Sequence, residues 1–186
     1  DYQTNGYCVT RMGNHSRDAA PHNVYPCAGD DQWCAIAVES DDQWRSLVNA
    51  LGEPSWASDP DLAARAGRLA KRDVLDREIS RWTQTRDKTE VANSLRAAGV
   101  PAGEVQRSSE LLRDAQYAHR GFYRYLDHRE MGNIPYAGHQ FHIDGYHSGP
   151  RTAAPLIGEH SVEVLRTLLG MSDEEVAEAF ANGAIG

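Results

Sequence analysis

The stretch that most constrains this chain runs from Ala20 to Val38, APHNVYPCAGDDQWCAIAV, where two short apolar runs flank a turn of Ala28, Gly29, Asp30 and Asp31. Asn23 to Cys27 and Gln32 to Val38 have the length and the Val, Ile, Tyr and Trp content of strands. A Gly-Asp-Asp connector between such runs is hairpin chemistry. A helix is predicted immediately after it. Ser40 with Gln43 makes a capping box, and Trp44, Leu47, Val48 and Leu51 recur at helical spacing up to Gly52. The unit therefore reads as a β-hairpin leading into an amphipathic helix, with a polar loop at its mouth.

The rest of the chain alternates helical and extended patterns, which makes the fold class α/β. Residues 1–12 read as linker, and the whole stretch from Asp1 to Ala20 lacks periodicity. Pro54 to Pro60 is a connector. Beyond Asp61, the positions Leu62, Leu69, Leu75, Ile79 and Trp82 suggest one long helix or two end to end, with Asp73 as the expected break. Asp87 with Glu90 opens a third helix that ends at Gly99, and Pro101 prevents its continuation. A short strand is expected at Gly103 to Gln106, then helical turns from Ser108 and around Tyr117 to Arg120. Phe122 to Leu126 and Gln140 to Ile143 are predicted strands joined through Gly132-Asn133. Two short helices close the chain, one carrying Val162, Leu165, Leu168 and Leu169, the other capped by Ser172 with Glu175.

Charge decides which partners to expect. The formal charge is −8, and a surface that neutralises phosphates along a polymer needs a basic stripe, so nucleic acid is not an expected partner. No apolar run approaches the roughly 20 residues of a membrane-spanning helix. Cys8, Cys27 and Cys34 are an odd number with no CxxC pair, which fits a reducing cytoplasm. A bridge between Cys27 and Cys34 is geometrically allowed, but two buried thiols are the preferred reading. The chain opens on Asp1 rather than Met and on nothing like a signal peptide, so an internal piece of a longer protein is expected.

Few residues mark chemistry on their own. His139 and His142 form an H-x-x-H pair with His147 close behind, but on a strand the two point to opposite faces and no nearby Cys completes a zinc set, so no metal is expected. Gly145, Gly149 and Gly158 make no phosphate-binding loop. None of the cysteines stands in a nucleophile's sequence context. Asn14, His15, Asp18, Pro21 and His22 are donors, acceptors and a rigid kink directly before a strand, so they are the candidate pocket loop. Glu39 either supports an acid/base group or stands at the start of the helix, where a carboxylate is favoured by about 0.3–1 kcal/mol.

The segments APHNVYPCAGDDQWCAIAV, DDQWRSL, LAKRDVLDREISRWTQTR, AAGVPAGEV, HRGFYRYLDH and LGEHSVEVLRTLLGMSDEEV, in this order, resemble the C-terminal half of the family III CoA transferases. This is the carnitine-dehydratase and bile-acid-inducible type, which includes the α-methylacyl-CoA racemases. The resemblance implies a two-domain, interlocked homodimer in which a small α/β domain faces a Rossmann-like large domain across a shared active site. Residues 13–106 would be the small domain, and 107–186 the C-terminal return segment that completes the large domain. It implies CoA transfer from an acyl-CoA to a carboxylic acid through an aspartyl-CoA thioester. CoA is then a substrate, with no tightly bound cofactor, and the nucleophilic aspartate lies in an N-terminal half not present here. Asp18 to His22 would fall where some transferases carry a glycine-rich active-site loop, and Glu39 where racemases place an assisting glutamate. The alternatives are a racemase-like enzyme and, for the isolated piece, a non-catalytic interaction module.

Overall fold

The computed structural model describes residues 2–146 and 149–185. They divide into two compact units, Asp1–Gln106 and Arg107–Gly186. The mixed α/β class expected from the sequence is what both contain, with short antiparallel strands among helices.

In the first unit the leading stretch is not all loop, since Tyr2–Asn5 forms a helical turn, α1. The hairpin is β1 (His22–Pro26) and β2 (Trp33–Ala37), antiparallel, with Tyr25 opposite Cys34. Its turn is closed by the Cys27 amide donating to Gln32 O at 2.8 Å, and Gly29 adopts φ 103°, a region that side chains resist. β3 (Ala102–Glu104) pairs with the other edge of β2, giving the order β1-β2-β3. It starts a residue earlier than expected and stops at Glu104, because pairing begins at the proline itself: Pro101 O accepts from the Ala37 amide at 3.0 Å.

The helix α2 (Asp41–Ala50) opens on the predicted box, with Ser40 Oγ accepting from the Gln43 amide and Gln43 Oε1 from the Glu39 and Ser40 amides. The connector after it is tighter than a plain loop, with 3-10 turns at Ser55–Ser58 and Pro60–Ala63. Two helices follow, α3 (Arg65–Ala70) and α4 (Arg72–Thr83). The break falls at Lys71 rather than Asp73: Lys71 leaves the helical path and its Nζ donates to Asp59 and Asp61, each at 2.6 Å. Asp73 instead lies in the first turn of α4, where the helix dipole favours a carboxylate. α5 (Lys88–Ala97) is capped by Asp87, which accepts from the Thr89 and Glu90 amides.

These helices cover one face of the sheet. Alternation along β2 turns Cys34, Ile36 and the following Val38 inward, where they meet Leu47, Leu75, Ile79, Val91 and Leu95. Each fully buried aliphatic side chain contributes about 1.5–3 kcal/mol. Cys27 and Cys34 are buried, unbridged thiols. Burial pushes the Cys34 thiol up to about 11, with Cys27 adding to it, and burial also raises Cys27. Both behave as small hydrophobes.

The second unit begins with α6 (Ser108–Leu111) and α7 (Ala115–Arg120). Ser108 is the first helical residue, and Arg107 takes the cap position, its amide donating to Glu110 Oε2 at 2.7 Å. The hairpin here is β4 (Tyr123–His128) and β5 (Gly132–Ala137). The strand expected at Gln140 to Ile143 does not form; that segment holds a single bridge, Ile143 to Tyr146. The chain turns back earlier because His128 Nδ1 accepts from the Glu130 and Met131 amides at 3.1 and 3.2 Å, which sets Gly132–Ala137 against β4. Pro135 is tolerated opposite Tyr125 because a two-stranded sheet has no inner strand. Tyr117, Phe122 and Tyr123 pack ring against ring, with centroids 4.7–5.9 Å apart. The closing helices are α8 (Ser161–Thr167) and α9 (Asp173–Ala181), the latter with the predicted Ser172–Glu175 box. Leu168, Leu169 and Ile157 are exposed. Among the described residues no helix is long and apolar enough to cross a membrane.

Candidate functional site

Strand alternation makes two unlike faces from one hairpin. Asn23 and Tyr25 of β1 and Ile36 of β2 face the helices, while His22, Val24, Ala35 and Ala37 face the other way. Gly103 of β3 continues the Val24–Ala35 row. These side chains are small or short, and all are half-buried. They floor a cleft of ≈ 590 Å³ whose rim is Gly13, Asn14 and His15 on one side and Pro101 on the other.

Of the predicted loop residues, Asn14, His15 and His22 line this cleft and Asp18 and Pro21 do not. Asp18 is exposed, its amide donating to Ser16 Oγ at 3.1 Å. Pro21 is buried, and its carbonyl accepts from the Val38 amide at 2.8 Å, so its role is to tie the loop to the end of the hairpin. Glu39 is exposed and outside the cleft lining; its amide completes the α2 cap.

The loop is held by two histidines in different ways. His22 Nδ1 lies 2.7 Å from Asn14 O. A carbonyl only accepts, so Nδ1 carries the proton and Nε2 is left as the position that can accept one. His15 Nε2 lies 2.7 Å from Asp76 Oδ2 and donates to it. Asn23 Nδ2 donates to the same oxygen at 2.8 Å, so its 3.3 Å approach to His15 Nε2 is two donors converging on one acceptor. Tyr25 OH donates to Asp76 Oδ1 at 2.7 Å. Burial first, then the Asp76 charge and hydrogen bond, hold the Tyr25 phenol far above its ordinary range, so it is only a donor.

Asp76, Asn23 and Tyr25 are the residues that sequence reasoning missed. The available signal was Asp76 itself: it stands next to Leu75 and three residues before Ile79, within the apolar stripe of α4, where an acid needs a partner. One carboxylate thus joins entrance loop, strand and helix. Asp76→Ala leaves the Tyr25 hydroxyl buried without an acceptor and should cost about 2 kcal/mol in urea unfolding. Amide exchange at Asn14 and His15 should quicken in the same variant. An unchanged midpoint together with unchanged exchange would show that the junction carries no load.

Among the described residues no group of three His, Cys, Asp or Glu side chains is placed to hold a metal ion. His139 stacks on Phe141 with centroids 5.1 Å apart, and His147 lies outside the described residues. Among the described residues the cleft lining contains no Cys, Ser, Asp, Glu or Lys.

Comparison with known proteins gives a family. The sequence model of CoA-transferase family III matches residues 1–161. A probable CoA-transferase of Mycobacterium tuberculosis is 40% identical over 166 residues, covering 85% of this chain and 20% of its own length. A formyl-CoA:oxalate CoA-transferase of a Bradyrhizobium strain is 30% identical over 183 residues, covering 97% of this chain and 43% of its own. Among solved structures, a CAIB/BAIF family protein from Brucella suis superposes with a TM-score of 0.74 at 24% identity, over 90% of this chain and 42% of that one. The chain therefore spans less than half the length of these relatives.

Proposed function

We propose, from the premise that this chain belongs to CoA-transferase family III, that it forms one wall of an active site moving CoA from an acyl-CoA to a carboxylic acid. Residues 13–106 are then the small domain. Residues 107–186 return to a large domain built mostly from sequence outside this chain, in an interlocked cytoplasmic homodimer. The observation that carries this reading is the cleft on the β1-β2-β3 sheet, with a floor of small side chains and, among the described residues, no Cys, Ser, Asp, Glu or Lys in its lining.

A wall of that kind needs its chemistry from elsewhere. An aspartate outside this chain attacks the thioester carbonyl and expels the CoA thiolate. The thiolate returns to the aspartyl carbonyl, releasing the acyl group as a carboxylate and leaving an aspartyl-CoA thioester. The acceptor carboxylate attacks that thioester, and CoA thiolate passes to the acceptor's acyl carbon while the aspartate is freed. In this sequence His22 Nε2 and Asn14 are the polar groups that this wall offers to a carboxylate or thioester oxygen, with His15 held back by Asp76. Support comes from two relatives, a probable CoA-transferase and a formyl-CoA:oxalate CoA-transferase, and from the chain's coverage of 43% of the latter. The unbridged Cys27 and Cys34 suit a reducing compartment. Glu39, exposed and off the cleft, lends the racemase reading no support.

The test uses the full-length enzyme in deuterated water with acyl-CoA and no acceptor. The expected result is no deuterium at the α-carbon and a covalent CoA adduct by mass spectrometry, with no adduct on the 186-residue chain alone. Deuterium incorporation without an acceptor, or an adduct on the 186-residue chain, overturns the reading.

A further inference from the structure

In the second unit, the C-terminal end of α7 and the open end of the β4–β5 hairpin enclose a pocket of ≈ 250 Å³ lined by Arg120, Gly121, Arg124, Gly138, His139, His142 and Tyr146. Among the described residues no carboxylate lines it, although the chain carries 27 acidic residues and a formal charge of −8. Asp144, two residues past His142, stays outside the lining.

Arginines of this chain fall into two groups, and Arg120 of the pocket belongs with Arg72, Arg86 and Arg96, whose side chains donate to carbonyl or amide oxygens. Arg45, Arg68, Arg81, Arg129 and Arg166 each reach a carboxylate. Among the described residues neither Arg120 nor Arg124 has one, and Arg120 is steadied instead by donating from Nη2 to Gln140 O at 3.2 Å. The walls are close-packed rather than loose. A Cβ on Gly138 would lie 2.7 Å from Phe122 O, and one on Gly149 would lie 3.3 Å from Arg124 Cδ, so backbone presses against the arginine's stem. The His139 ring is held flat against Phe141, 4° from parallel.

We infer that this pocket binds a small phosphate-bearing anion. Two guanidiniums with five N–H donors each, plus two imidazoles, offer more donors than the two oxygens of a lone carboxylate can accept. A phosphate group has three or four oxygens and up to two charges, and guanidinium forks match its geometry. The small volume suits an orthophosphate, a pyrophosphate or the phosphate end of a larger molecule, and not a polyanion lying across the surface.

The experiment is calorimetric titration of the 186-residue chain with sodium pyrophosphate. One saturable site is expected. Kd should rise about tenfold or more in Arg120→Gln and in Arg124→Gln, since a charge-assisted bond is worth about 1.5–3 kcal/mol. Arg166→Gln, on α8 and paired with Asp173, should leave Kd unchanged. If Arg124→Gln does not fold, as judged by circular dichroism, the exposed Arg120 decides. Absence of saturable binding, or an equal loss in Arg166→Gln, overturns the inference. Competition then separates the sources: displacement of pyrophosphate by CoA but not by dephospho-CoA points to the 3′-phosphate of CoA, and displacement by neither points to another phosphorylated compound. Both agree with the site, and failure of the CoA-adduct test above leaves it untouched.

Discussion

Replacing Arg68 with alanine should lower the unfolding free energy of this chain by about 3–5 kcal/mol, read as a fall in the urea midpoint with the slope preserved. Its side chain is 0% exposed and each of its three nitrogens has a partner. Nε donates to Ala20 O at 3.0 Å, Nη1 to Leu62 O and Ala63 O at 3.0 and 3.1 Å, and Nη2 to Asp41 Oδ1 at 2.7 Å. Truncation leaves three carbonyls without their donor, each worth about 1–3 kcal/mol when buried, and a cavity beside Trp44. Arg68→Lys should recover little, because a single ammonium cannot reach three directions at once. A loss below about 1 kcal/mol, the scale of an exposed ion pair, would refute the anchoring role.

The same contact sets an acid limb. Asp41 is held below the usual carboxylate range, first by the Arg68 hydrogen bond. Its folded pKa is depressed, so its contribution is complete above the unfolded value of about 3.9 and is lost as pH falls through the folded value. The stability difference between the parent chain and Asp41→Asn should therefore shrink on acidification in that window.

Gly67→Ala should cost about 3 kcal/mol, against helix propensity, which alone favours alanine by about 1 kcal/mol. An added Cβ would lie 1.9 Å from Asp61 O and 2.7 Å from its carbonyl carbon. Asp61 cannot step aside cheaply: its carboxylate takes the Lys71 ammonium at 2.6 Å, and its amide donates to Asp59 Oδ1 at 3.0 Å. Moving it drags Leu62 O and Ala63 O off the buried guanidinium. Thermal unfolding of the variant checks this, and a melting temperature at or above the parent's would mean that the close approach is not needed.

Local chemistry explains why so much could be read in advance. The hairpin, the Ser40 and Ser172 boxes, the Asp87 cap and the stop before Pro101 depend on residues within a few positions of one another, so their signals are local. The errors came where a distant group overrode a local signal. His128 closes the second hairpin early, and Lys71, drawn to Asp59 and Asp61, splits α3 from α4. The pocket loop could be placed before the strand, yet which of its members face the cleft depended on Asp76, more than 50 residues on from Asp18 and Pro21.

Turn residues, caps and periodicity act over a few residues at a time, so the α/β class, the hairpin-to-helix unit and the family resemblance were legible before any fold was known. The folded chain was needed to see that Arg68 is a buried hub, that Gly67 must be glycine, and that Asp76 ties loop to strand. The same holds for the pocket that Arg120 and Arg124 share, which has no carboxylate among the described residues. Those depend on groups brought together across the chain, where burial removes water as the alternative partner and makes each contact count.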